Sequence, residues 1–99
     1  MKYQWLEPWN EIAGDQVDFF QIELLKEISY SHSLFGLQMR PIGRSLAADD
    51  ILVQFNNGKY AVVHLTWAGK GDKAWPKVVY YDSWIEFVKG QMIPDNLAY

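Results

Sequence analysis

The chain has 99 residues, 49% of them apolar and 16% aromatic, and its net charge is −3. A length of this order holds one core, and the composition is that of a folded chain, so residues 1–99 are expected to form a single domain. Cysteine is absent, which removes disulfides, a thiolate nucleophile and thiolate metal sites. The first residues have no apolar signal core, and no apolar run approaches the ~18 residues of a membrane span. These features point to a cytoplasmic protein with no membrane partner.

The charge is uneven. Residues 1–36 carry six acids against Lys2 and Lys26, whereas residues 37–81 carry Asp49, Asp50 and Asp72 against six basic residues. An acidic helical part joined to a mildly basic sheet suits contact with a protein. The positive excess is too small to mark a nucleic-acid binder.

In chain order, "YQWLEPWNEIAG" is aromatic and broken by Pro8 and Gly14, and predicts a short helical turn lying across the fold. "DQVDFFQIELLKEISYS" predicts a helix from Asp15 to Tyr30, because Val17, Phe20, Leu24 and Ile28 recur at three and four, with Leu25 widening the stripe. Phe19 and Ile22 fall on the other side. "LQMRPIGRSL" tends to alternate, and Pro41 marks it as an edge or broken strand. In "ILVQFNNGKYAVVHLTW", Asn57-Gly58 signals a two-residue hairpin turn of type I′. That turn sets Val53 opposite Val62 and Ile51 opposite His64. It puts His64 on the more apolar face, with Trp67 on the other. "KVVYY" predicts a further strand at 77–81. Ser83 and Glu86 form a capping box that opens a helix from Trp84 to Lys89, ended by Gly90. The order implies an α+β fold, with an antiparallel four-stranded sheet and the N-terminal and C-terminal helices packed on one face, a two-layer sandwich.

The predicted register brings Asp49 opposite Thr66 and onto the face of His64. A histidine, a carboxylate and a hydroxyl are the material of acid–base chemistry. A histidine on an apolar strand is also an ordinary core residue with its ring nitrogens hydrogen-bonded. The catalytic candidates are His64, Asp49, His32 and Asp50. No His, Asp or Glu group has metal-ligand spacing, "GKGDK" lacks the phosphate-loop pattern, and no cofactor is implied. "WAGKGDKAWPK" offers Trp67, Lys70, Lys73 and Trp75 as a binding loop. The acidic first helix offers Glu23 and the outward Phe19 to a basic protein surface.

"SHSLFG", "ADDILVQF", "YAVVHLTW", the Trp75-Pro76 pair and "MIPDN" together resemble a family of small bacterial proteins with no established activity. Its pattern has a Val-Val-His-Leu-Thr-Trp strand, then Trp-Pro, then a C-terminal Met-x-Pro-Asp. The resemblance spans residues 31–96 and singles out His32, Asp49, Asp50, His64 and Trp67. Asn96 stands where the pattern carries a histidine. The resemblance implies no mechanism.

The leading expectation is therefore a non-catalytic protein-interaction domain of the immunity-protein type. The alternatives are a small enzyme or ligand-binding domain using His64 with Asp49, and a weak nucleic-acid binder through the Trp67–Lys77 loop.

Overall fold

The computed structural model describes residues 3–99. It has strands β1 (Trp9–Glu11), β2 (Met39–Ser45), β3 (Asp50–Phe55), β4 (Tyr60–His64) and β5 (Lys77–Tyr81), and helices α1 (Val17–Glu27), α2 (Trp84–Phe87) and α3 (Ile93–Ala98). The α+β class is as expected, but the antiparallel sheet has five strands, in the order β1-β2-β3-β4-β5. The added strand is β1, from the segment expected to be a helical turn. Trp9, Asn10 and Glu11 pair with Ser45, Arg44 and Gly43. This makes β2 an interior strand, not an edge. Pro41, which has no N–H, is accommodated by an irregularity beside it: the register shifts between Pro41 and Gly43, leaving Ile42 as the extra residue.

The β3–β4 hairpin also differs from expectation. The Gly58 N–H donates to the Phe55 carbonyl at 3.0 Å, and the Phe55 N–H donates to the Lys59 carbonyl at 2.8 Å. Gly58 has φ +85°, while Asn57 is not left-handed. A type I′ turn needs positive φ at both. The chain instead forms a three-residue loop in which glycine alone takes the left-handed position. The Asn57 side chain accepts from the Lys59 N–H at 3.0 Å. The ladder is thereby moved by one residue: Asp50 faces His64, Ile51 faces Val63, Leu52 faces Val62 and Val53 faces Ala61.

Both sheet faces are covered. Ile51, Val53, Ala61 and Val63 pack with Phe20, Leu24 and Ile28 of the α1 layer. Leu52, Tyr60 and Val62 pack with Trp9, Phe87 and Met92 on the opposite face. The expected one-sided, two-layer arrangement is thus replaced by helices on two faces. Alternation in β3 and β4 supplies apolar residues to both sides, so each side needs a cover.

The N-terminal helix is shorter than its periodicity suggests. A 3-10 turn at Gly14–Gln16 precedes α1, and Ile28 is already extended. Leu25, expected to widen the buried stripe, is exposed. At the other end, Ser83 caps α2 by accepting from the Glu86 N–H at 3.2 Å, as the capping box implied. Gly90 does not end the helical segment. Val88–Met92 forms a π-helical turn that leads into α3, with Pro94 in the first turn of α3. A Cβ on Gly90 would lie 2.9 Å from the Tyr81 ring, so the glycine permits close packing. Trp9 Nε1 donates to Asp95 at 2.8 Å and Asn96 Nδ2 donates to the Glu7 carbonyl at 2.7 Å. These bonds tie α3 to the β1 segment.

Among the described residues no helix is long and apolar enough to cross a membrane. The second layer gives a direct test. Phe87 is fully buried between Trp9, Tyr81 and Trp84. Phe87→Ala is expected to destabilise the fold by about 3–5 kcal/mol in chemical denaturation.

Candidate functional site

The organising residue is Glu27, the last of α1, which is 0% exposed. Its Oε1 accepts from the Thr66 N–H at 2.8 Å and the Thr66 hydroxyl at 3.0 Å, and its Oε2 accepts from the Trp67 N–H at 2.9 Å. Its backbone carbonyl accepts from the Gly71 N–H at 2.9 Å. One residue thus fastens the β4–β5 connection to the end of the helix. A Cβ on Gly71 would lie 2.2 Å from the Trp75 carbonyl oxygen, so the strap closes only around a glycine. Asp72 Oδ1 accepts from the Ala74 and Trp75 N–H groups at 2.8 and 3.1 Å, which folds the Lys-rich part into a turn.

Glu23, one helical turn earlier, is also buried, with Lys26 Nζ 3.6 Å from its Oε1. No donor in the described structure reaches its Oε2. A hydrogen bond to Glu27, then burial and the Glu27 charge, push the Glu23 carboxyl above its ordinary range, against the opposing pull of Lys26. Burial opposes ionisation of Glu27. The hydrogen bonds from Glu23, Thr66 and Trp67 outweigh it and hold Glu27 below its ordinary range. The two carboxyls are therefore pushed in opposite directions, Glu23 towards its neutral form and Glu27 towards its charged one.

Trp67 sits at φ +58°, the one non-glycine residue with positive φ among those described. That conformation costs on the order of 1–3 kcal/mol. The Glu27 carboxylate bond to its N–H helps offset this cost. The indole Nε1 donates to Asp49 at 3.2 Å, and the ring stacks on Phe19 with centroids 5.9 Å apart. Trp67 is 44% exposed and Phe19 59%, and Ile22 and Leu25 at 66% and 55% extend the apolar surface along α1. Asp15 and Asp18 are exposed at the helix start, one turn from Phe19 and Ile22 respectively.

The remaining candidates are dispersed. His64 is exposed, not packed on an apolar face, because the one-residue shift of the hairpin carries it to the end of the ladder. Its Nδ1 lies 2.7 Å from Asp50 Oδ1. The expected His64–Asp49 couple is replaced by His64–Asp50, and Asp49 is taken by the Trp67 indole. The Thr66 hydroxyl expected beside that couple donates to Glu27. Asp49 and Asp50 border a crevice of about 20 Å³, room for about one water.

His32 is buried elsewhere. The Leu34 N–H donates to its Nδ1 at 3.0 Å, so Nε2 carries the proton and donates to the Pro76 carbonyl at 2.7 Å. His32 thus pins the far end of the same strap. Trp75 is 44% exposed and lies under Lys77, with Nζ 4.8 Å from the ring centroid. It makes no aromatic contact with Trp67, so the two tryptophans do not form one stacking platform. Lys70 and Lys73 are exposed. Among the described residues no group of three His, Asp or Glu is placed to hold a metal ion. A groove of about 310 Å³ lies at the other end of the sheet between Phe55, Tyr80 and Tyr81. Burial and the Tyr3 hydroxyl push Tyr60, at its edge, up to about 12.

Comparison with protein-family models, with curated proteins and with solved structures finds no match. The family resemblance of the strand and tail motifs therefore stays an expectation.

Glu27 was not singled out from the sequence. Its position as the last polar residue of an apolar stripe gives no hint that a loop 39 residues later will close on it.

Two tests follow from this geometry. Raised acidity of Glu27 contributes stability that is present above its unfolded pKa and lost as pH falls through its lowered folded value. The raised Glu23 contributes stability that is present below its unfolded pKa and lost as pH rises through its folded value. Their joint contribution is thus greatest near the ordinary carboxylate value of 4.5. Thermal melts across pH are expected to show that Glu23→Gln removes the loss on the alkaline side, and Glu27→Gln the loss on the acid side. Separately, His32→Ala leaves a buried carbonyl and a buried N–H without partners. It is expected to cost about 2–6 kcal/mol in denaturant titration, from about 1–3 per unsatisfied group.

Proposed function

We propose that this chain is a non-catalytic protein-interaction domain of the immunity-protein type, and that it binds a cationic protein surface with the outer face of α1 and Trp67. The observation that carries this reading is the exposed apolar stripe Phe19, Ile22 and Leu25, with Trp67 stacked against its first residue. Exposed aromatic and aliphatic side chains on a rigid helix are anchors for a protein partner. Trp67 is fixed by a buried carboxylate at its N–H and by Asp49 at its indole, so little side-chain freedom is left to lose on binding.

The acids beside the stripe indicate the sign of the partner. Asp15 and Asp18 are exposed and form no ion pair among the described residues. A basic surface would gain faster association and specificity from them. Acid–base catalysis has less support, since His64, His32 and Thr66 are engaged at three separate places. A nucleic-acid platform has less support too, because Trp67 stacks toward the acidic helix.

The test compares capture by variants, from extract and then with the purified partner. A true partner is retained by the wild type and by Lys73→Ser, and is lost by Ile22→Asp and by Trp67→Ala, each by at least about tenfold in Kd. Its association rate falls as salt is raised. A set of captured proteins whose retention is indifferent to Ile22 and Trp67 would overturn the reading.

A further inference from the structure

The second surface is the free edge of the sheet. Strand β5 pairs with β4 alone and closes the sheet on one side. Among the described residues no backbone hydrogen bond outside that ladder joins residues 77–81 to the rest of the chain. An edge of this kind presents a row of unpaired N–H and C=O groups. Natural sheets blunt such edges with short strands, prolines, bulges or inward charges. The opposite edge, β1, is three residues long. β5 is five residues long, has no proline, and runs in unbroken register from Lys77 to Tyr81. Its central residues Val79 and Tyr80 are 49% and 52% exposed.

We propose that β5 is a self-association edge, on which a second copy of this chain adds its own β5 in antiparallel orientation about Val79. The choice of occupant rests on charge and symmetry. β5 has a cation at one end, Lys77, and is followed by an acid, Asp82. A parallel neighbour would bring like ends together. An antiparallel copy brings each Lys77 to the Tyr81–Asp82 end of the other.

A twofold axis between antiparallel strands stands perpendicular to the sheet and keeps each face on its own side. Only residues of the same face can then oppose one another. Centred on Val79, Val79 meets the second copy's Val79, Val78 meets its Tyr80, and Lys77 meets its Tyr81. Every pair is apolar or cation on aromatic, and no like charges oppose. A centre on Tyr80 would instead set Val78 against Asp82. The result is a continuous ten-stranded sheet. α1, with Phe19, Ile22 and Trp67, plays no part in the pairing, so the interaction is independent of the function proposed above.

The contact is short, about 17 Å of strand. Association belongs at the weak end of protein interfaces, with Kd on the order of 10–100 μM. Sedimentation of the intact chain from about 1 to about 500 μM is expected to show monomer passing to dimer. Val79→Lys and Val79→Glu should each weaken the dimer at least about tenfold, because the substituted charge meets its own copy. An equal mixture of the two should restore it. The chain has no cysteine, so Val79→Cys reports without background. Facing Cα atoms about 4.5–5.5 Å apart allow a disulfide, and mild oxidation should give one cross-linked dimer. Lys73→Cys, on the strap, should not cross-link.

A wild type that stays monomeric over this range would overturn the proposal. So would folded Val79→Lys that dimerises like the wild type, or a mixture that fails to recover. A dimer lost with Ile22→Asp and kept with Val79→Lys would move self-association to α1 and overturn it as well.

Discussion

A single buried carboxylate sets the geometry of one end of this molecule. Taking Glu27 out of water costs several kcal/mol, even after the protein relaxes around it. Two backbone N–H groups and a hydroxyl from Thr66 and Trp67 surround it. Charge-assisted bonds of this type contribute about 1.5–3 kcal/mol each, enough to offset the desolvation. The same bonds bring the strand end and the strap against the helix, and hold Trp67 in a backbone conformation that its own side chain disfavours. A neutral, apolar residue at this helix end would have nothing to offer those N–H groups.

The strap is held at both ends by side chains that are hidden from solvent. Glu27 takes the start and His32 takes Pro76 at the finish. Between them the lysines remain solvated and Asp72 closes the turn. The two histidines thus have inverted roles relative to their sequence contexts. His32, in a polar stretch "SYSHS", is the sealed structural one. His64, in the apolar run "AVVHL", is the one in water. Position at the end of a ladder decides exposure here, and local hydropathy does not.

That inversion shows what was legible in the sequence and what was not. Strands β2 to β5, the Ser83 cap and the buried stripe Phe20–Leu24–Ile28 are carried by period and by cap chemistry, and they are found in place. The hairpin register is not carried by pattern. Residues 51–53 and 60–63 are apolar at every position and buried on both faces. A one-residue slip exchanges one apolar set for another, so periodicity cannot arbitrate. The turn decides, and Asn-Gly supports both a two-residue and a three-residue loop. The second cover on the sheet follows from the same fact, since near-continuous apolar strands call for helices on both sides. β1 is too short to show alternation. For the proposed surface, Phe19 and Ile22 were visible as outward apolar residues, and Trp67 as part of a binding loop. The carboxyl pair that positions Trp67 was not, because its partners come from a distant segment.

The cover on the second face has a consequence for the order of assembly. Leu52 and Val62 are closed over by Phe87 and Met92, and α3 is fastened to the β1 segment by Trp9–Asp95 and Asn96–Glu7. During synthesis the α1 side of the sheet can be completed once residue 81 has emerged. The other side keeps only the cover of Trp9 and its neighbours, and β1 lacks its anchor, until residues 84–98 follow. Residues 84–98 therefore act as a latch, and the apolar sheet beneath them is fully shielded when the latch closes.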